Sequence, residues 1–262
     1  LRFLRDDGSP RAARSGVWTE LELVHEIPHG DSLYRATLAP TAARLTLSRH
    51  SRVWVDETVP TILEEVLTTA GLAGHYSLRL DGTHTPRAHT CQYRESDFDF
   101  IARLTEREGI YFFVEESDAG DTLVLVDHKD RHEPFGDGVA RVLRETLEGD
   151  SGVEGFRTFA SRSAAATASV KVHDYDPLRP TSDPAHTEAA WALGYGATLR
   201  HQEEPAQNPS DARRLATLRA ELERASRPRF HGTGRVFDVR AGYTFTLEEH
   251  PRAALNQDYL CI

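Results

Sequence analysis

Gly149-Asp150-Ser151-Gly152 spells the nucleophile turn of a serine protease. A serine in such a turn attacks only when a histidine takes its proton and an aspartate orients the imidazole. The upstream context for that histidine is missing, because Thr41-Ala42-Ala43 is followed by Arg44. With 18 glycines and 41 acidic residues in the chain, GDSG reads more simply as a turn. His128 and His132 are four apart, a spacing that would ligate one metal if the segment were helical. They lie between a strand and a Pro-Gly stretch, and with 13 histidines in 262 residues such pairs arise by chance. His84, His89 and Cys91 make a second candidate cluster, in a predicted loop. His89 beside Cys91 could also serve as base and nucleophile, although a single cysteine opening a buried strand is ordinarily inert. Asp97 and Asp99 resemble an acid/base pair, but side chains two apart at a helix start diverge, and capping accounts for both. Tyr111-Phe112-Phe113 could line a ligand groove, but a strand apolar on both faces is more often core, and next an interface with another subunit. The residues therefore assign no catalytic, cofactor-binding or metal-ligating role. A hydrolase using Ser151 and a ligand-binding β module stand as the competing readings.

The element positioning most of these residues is the run Cys91 to Glu115, CQYRESDFDFIARLTEREGIYFFVE. Ser96 is the predicted N-cap, with Asp99 three residues on, a capping-box spacing ahead of an apolar run. Asp97 and Asp99 lie at the positive end of the helix dipole. Phe98, Ile101, Ala102 and Thr105 share one helical face, Gly109 stops the helix, and Ile110 to Val114 is predicted as a strand apolar on both faces.

Before it, Val17 to Ile27 and Leu33 to Leu38 are predicted to pair as an antiparallel hairpin, with Leu21, Leu23 and Ile27 on one face and Glu20, Glu22 and Glu26 on the other. Pro60 opens a helix whose stripe is Ile62, Leu63, Val66, Leu67 and Ala70, ended by Gly71. After the central run, Thr122 to Val126 completes a second hairpin, and Pro177 to Pro209 is read as irregular. A helix over 210–226 carries Leu215, Leu218, Leu222 and Ala225, and two strands are expected at Gly234 to Val239 and Gly242 to Leu247. This order indicates an α+β, mainly β fold with antiparallel sheet. The segments drawn from it are 1–58, a partial β-barrel subdomain; 59–170, helix and hairpins; and 171–262, an irregular segment, a helix and closing strands.

Composition narrows the classes. Hydrophobic content of 39% and charged content of 27% fit a globular chain. A net charge of -10 with scattered basic residues argues against a phosphate-tracking surface. No run approaches the 18 apolar residues of a membrane span. Cys91 and Cys261 are two reduced thiols rather than a disulfide framework. The absence of Met, including an initiator, marks the chain as a piece of a longer protein.

The run C-Q-Y-R-E-S-D-F-D-F-I-A-R-L-x-E-R-E-G-I-Y-F-F resembles the signature segment of the VgrG family, the tip proteins of type VI secretion systems, themselves similar to the hubs of contractile phage tails. Gly16 to Glu20 (G-V-W-T-E), Tyr34 to Pro40 (Y-R-A-T-L-A-P) and His250 to Leu260 (H-P-R-A-A-L-N-x-x-Y-L) are similar to further family segments. The resemblance implies two barrel-like antiparallel β subdomains with a few packed helices, a phage tail hub-like fold. It further implies a homotrimer whose pseudo-sixfold ring matches the hexameric tube protein Hcp, a spike beyond this region, and possible effector or adaptor proteins as cargo. Nucleic-acid partners, cofactors and stable membrane insertion are not implied. Such a protein assembles in the bacterial cytoplasm and is then injected by the apparatus. A phage or tailocin tail hub and an Rhs-type fusion remain open within the same class.

Overall fold

The computed structural model describes residues 1–4, 7–26, 30, 32–117, 119–135, 141–142, 155–173, 185–190, 198–202, 209–225, 227, 229–236 and 239–262. They divide into two units: Leu1–Ala140 with Phe237–Thr246 and Gln257–Ile262, and Arg141–Val236 with Leu247–Asn256. This division differs from the segments 1–58, 59–170 and 171–262 drawn from the sequence.

The first unit begins with two antiparallel ribbons, β1 (Arg2–Leu4) with β2 (Pro10–Ala13), and β3 (Val17–His25) with β4 (Leu33–Ala39). A 3-10 turn over Thr41–Thr46 leads to β5 (Arg49–Trp54), which pairs antiparallel with β7 (Thr90–Ser96). Helix α1 (Val59–Thr69) starts where the Thr58 hydroxyl accepts from the Thr61 amide at 3.3 Å, with Pro60 in the first turn. It ends on Gly71, at φ 76, where the Gly71 and Leu72 amides return to the carbonyls of Thr68 and Leu67. Its stripe of Val59, Ile62, Leu63, Val66 and Leu67 is fully buried, each such side chain contributing about 1.5–3 kcal/mol. Against it lie Phe100, Ile101 and Leu104 of α2 (Asp97–Glu108), with Trp54 stacked on Phe100 at 5.1 Å.

The strands after α2 depart from the expected pattern. β8 (Tyr111–Ser117) and β9 (Gly120–Val126) form the anticipated hairpin, but β6 (Tyr76–Arg79) adds to β9 in parallel, giving the order β6-β9-β8. The chain between β6 and β9 is long enough to return in the same direction, which a tight hairpin cannot do. The central strand β9 is covered on both faces, with Leu123 and Leu125 in the helix-packed core and Val124 and Val126 clustered with Phe113. β8 is an edge strand that buries Phe113 and leaves Tyr111 and Phe112 exposed, correcting the expectation of a wholly buried strand there.

In the second unit, β11 (Gly155–Arg162) pairs with β15 (Arg229–Arg235). β12 (Ser169–His173) is central between antiparallel β13 (Ala185–Ala189) and parallel β14 (Thr198–Gln202). The last two lie in the segment read as irregular, because AHTEA and TLRHQ lack apolar alternation and take their place by pairing with Val170 and Val172. Helix α3 (Pro209–Ala225) covers this sheet through Ala212, Leu215, Ala216 and Ala220. Leu222, expected in the stripe, is 53% exposed; the small alanines form the buried face and admit the helix close to the strands. β10 (Arg141–Val142) runs parallel to the end of β16 (Thr244–Glu248), whose beginning pairs with β17 (Asp258–Leu260). The fold is mainly β, and the described residues form three α-helices and seven sheets of two or three strands.

Candidate functional site

At the start of α2 the Ser96 hydroxyl accepts from the Asp99 amide at 3.0 Å and donates to Asp99 Oδ2 at 2.7 Å, so the predicted cap forms. Gly109, at φ 74, ends the helix, with the Ile110 amide returning to the Thr105 carbonyl. Asp97 does more than cap. Its buried Oδ1 accepts from Gln92 Nε2 at 2.8 Å and His50 Nδ1 at 3.0 Å, and Arg52 Nη1 lies 3.4 Å away. One carboxylate thus clamps the helix start to both strands of the β5–β7 ribbon, correcting the capping-only account of Asp97. Arg103 of α2 adds a fork onto Glu95 and a bond to the Cys91 carbonyl, and the Glu95 hydrogen bonds raise its pKa further.

The other described sequence candidates each find separate partners or face solvent. His84 turns to Glu108 through Nδ1 and to Asp127 through Nε2, both at 3.4 Å, so its two nitrogens face different carboxylates; His89 is exposed. Asp127 accepts from the backbone amides of Asp81 and Gly82, and Arg87 engages Glu108 at 3.0 Å. Arg131 holds the Asp81 carboxyl below the usual carboxylate range. His128 accepts from the Asp130 amide and caps a 3-10 turn over Lys129–Arg131, while His132 stacks on Tyr111 and bonds the Gly242 carbonyl at 2.7 Å. Burial, with the Asp127 charge, pushes the Tyr111 hydroxyl pKa up. Among the described residues no three His, Cys, Asp or Glu side chains gather as metal ligands. Cys91 and Cys261 are free thiols. Ser151 lies outside the described residues. No described helix is long and apolar enough to cross a membrane.

What the first unit does present is uncovered apolar surface on two ribbons. In β3–β4 the register opposes Trp18 to Leu38, Leu21 to Ala36 and Leu23 to Tyr34, so these six share a face. Glu20, Glu22, Arg35 and Thr37 occupy the reverse, where Arg35 reaches Glu22 at 2.8 Å. Both faces are open: Trp18, Leu21, Leu23 and Tyr34 are 60%, 70%, 51% and 57% exposed. The alternation was legible in the sequence, whereas the missing cover was not, since cover is supplied from elsewhere in space. In β5–β7, Ser51 opposes Tyr93 and Val53 opposes Cys91 on the outer face, with Val55 just beyond the strand. Val53, Val55 and Tyr93 are 58%, 61% and 66% exposed. A bulge leaves Arg94 unpaired at φ 51, its amide bonded to Ser51 Oγ and its guanidinium 5.2 Å above the Tyr93 ring.

Comparison with known proteins places this arrangement. The model of the phage tail baseplate hub (GPD) family matches residues 1–262. The chain belongs to that family. Among curated relatives, it is 30% identical to the actin cross-linking toxin VgrG1 of Vibrio cholerae over 90% of this chain and 22% of that protein. It is 28% identical to the type VI secretion system spike protein VgrG1a of Pseudomonas aeruginosa, over 87% of this chain and 36% of that one. The chain thus spans between about a fifth and two fifths of these relatives. Among solved structures, an E. coli type VI secretion component described as similar to the T4 tail proteins gp27 and gp5 superposes with a TM-score of 0.65 at 17% identity, covering 94% of this chain and 54% of that one. A 43 kDa tail protein of prophage MuSo2 from Shewanella oneidensis gives 0.62 at 13% identity, over 97% and 74%. These likenesses establish the hub fold. In this hub chain the signature segment braces a scaffold: Ser96, Asp97, Asp99, Glu95 and Arg103 form its cap and ion pairs, while its strand β7 and the β3–β4 hairpin carry exposed apolar surface.

Proposed function

We propose that this chain is the hub portion of a type VI secretion tip, in which three copies close a ring that docks on an Hcp-like tube protein. Beyond it the assembly carries a spike together with effector or adaptor proteins, and the work is mechanical rather than catalytic. The observation that carries the secretion reading over a phage or tailocin tail is the relatives: spike proteins of this system align with 87–94% of the chain at 27–30% identity, while the tail proteins share the fold at 12–14%. The open ribbons support assembly, since a two-stranded ribbon is marginal in water without a covering surface, and an uncovered apolar patch of this size marks an interaction site. The complex would form in the bacterial cytoplasm and leave through the apparatus.

Light scattering on the purified chain tests the ring: three times the 29.3 kDa of one chain is expected. Immobilised on resin, the chain should retain purified hexameric tube protein from the same bacterium. A single-chain mass at every concentration, with no tube protein retained, would overturn this function.

A further inference from the structure

The stretch Leu247–Asn256 belongs to the second unit, while the chain on either side of it, Phe237–Thr246 and Gln257–Ile262, belongs to the first. Inside this excursion the chain turns at Glu249, whose φ of 60 costs about 1 kcal/mol or more in a non-glycine residue, and closes in a 3-10 turn over Ala253–Leu255. Two side chains hold it. Asn256 accepts from the His250 amide at 2.8 Å and donates to the His250 carbonyl at 3.1 Å. The His250 ring receives the Arg252 amide on Nδ1 at 3.0 Å and meets the Phe159 carbonyl of β11 through Nε2 at 3.3 Å. A backbone N–H only donates and a carbonyl only accepts, so both bonds form on one species, the neutral ring with its proton on Nε2. A second proton, on Nδ1, would set N–H against N–H.

Other histidines of the fold are placed differently. His50 and His84 face carboxylates, and His128 has the Asp130 carboxylate 3.5 Å from the nitrogen that accepts its turn amide, so a positive ring finds an acceptor in each case. His132 meets the Tyr111 hydroxyl, which accepts as readily as it donates. Around His250 the charged and titratable side chains are Glu248, Glu249 and Arg252 on its own segment, Arg157 and Arg162 on β11 and His231 on β15, all of them exposed. Among the described residues none forms an ion pair with the His250 ring. We propose that His250 is an acid-released fastener: the neutral ring holds residues 249–256 on β11, and the protonated ring lets the turn open. Opening uncovers Leu255, which the closed turn buries. The closed form is fully stable above the ordinary imidazole range and is lost as the pH falls through it. The device works within one chain and is independent of the ring reading above.

Hydrogen–deuterium exchange of the whole chain, corrected for intrinsic rates, reads the opening. A ring that takes its second proton only when open gains up to tenfold in opening per pH unit below about 6.5, so protection of the His250 and Arg252 amides should fall about tenfold between about pH 7.5 and pH 5.5 while β12 keeps its protection. His250→Asn retains an acceptor for the Arg252 amide and loses the titrating ring, so its protection should be the same at both pH values. Independently, the imidazole nitrogen shifts of His250 at neutral pH should report the form protonated on Nε2. Equal wild-type protection at the two pH values, a His250→Asn chain that loosens in acid as the wild type does, or a ring protonated on Nδ1 at neutral pH would overturn the fastener. So would loss of protection in β12 alongside the turn, which is unfolding at large. The wild-type measurements decide even where the variant fails to fold, and none of these outcomes bears on whether three copies close a ring.

Discussion

Asp97 shows how far one side chain can reach beyond its local role. Its neighbours Ser96 and Asp99 act within one helical turn, so their geometry was legible from spacing. Asp97 answers to Gln92, five residues away, and to His50, 47 away, and no sequence window joins those positions. Replacing it with alanine leaves Arg52 and His50 without this carboxylate and the Gln92 amide with only the Glu95 carbonyl, at 3.3 Å. Asp97→Ala is expected to cost about 3 kcal/mol, the scale for removing one partner of a buried ion pair, read as a fall in the urea midpoint at constant slope. An unchanged midpoint would mean that the clamp contributes nothing to holding α2 on the ribbon. The histidine candidates failed for a related reason: His84, His128 and His132 each find a separate partner once the chain folds, so spacing along the sequence never became proximity around one ion.

At the scale of elements, helix ends were the best-read features, because caps depend on residues within one turn. Ser96→Ala should lower stability by about 1 kcal/mol, the usual worth of an N-cap, and a denaturation midpoint equal to wild type would remove that role. Strand burial was read less well. The run IYFFV is more aromatic than TLVLV, yet TLVLV is the one sealed on both faces, because Leu123 and Leu125 pack into the core with α1 and α2 while Val124 and Val126 cluster with Phe113 on the other face. Likewise α3 turns its alanines, not Leu222, toward the sheet. Hydrophobicity says what would benefit from cover, and topology decides what receives it. The same distinction explains the β3–β4 hairpin: alternation separated Leu21 and Leu23 from Glu20 and Glu22, Ile27 lies outside the described residues, a bulge between Trp18 and Glu20 brings Trp18 to the leucine face, and the need for a partner emerged only from three dimensions.

At the scale of the whole molecule, the chain leaves its first unit after residue 140 and returns to it at 237–246 and 257–262. The returning backbone is fitted tightly. Gly242 sits at φ 87 against Phe113, where a Cβ would stand 2.2 Å from the ring, and its amide and carbonyl bond Cys261 and His132. Gly242→Ala should therefore cost roughly 2–4 kcal/mol through backbone strain plus overpacking, measured by thermal unfolding. Gly8→Ala, at φ 79 with open space around it, should lose only the backbone part. This return also dictates a timetable. On the ribosome, Phe113 and His132 emerge well before Gly242, so a nascent chain must hold its opening body unfinished while the intervening stretch is translated. A premature stop codon within residues 141–236 would deprive both bodies at once, leaving a fragment fit for proteolysis rather than a usable half.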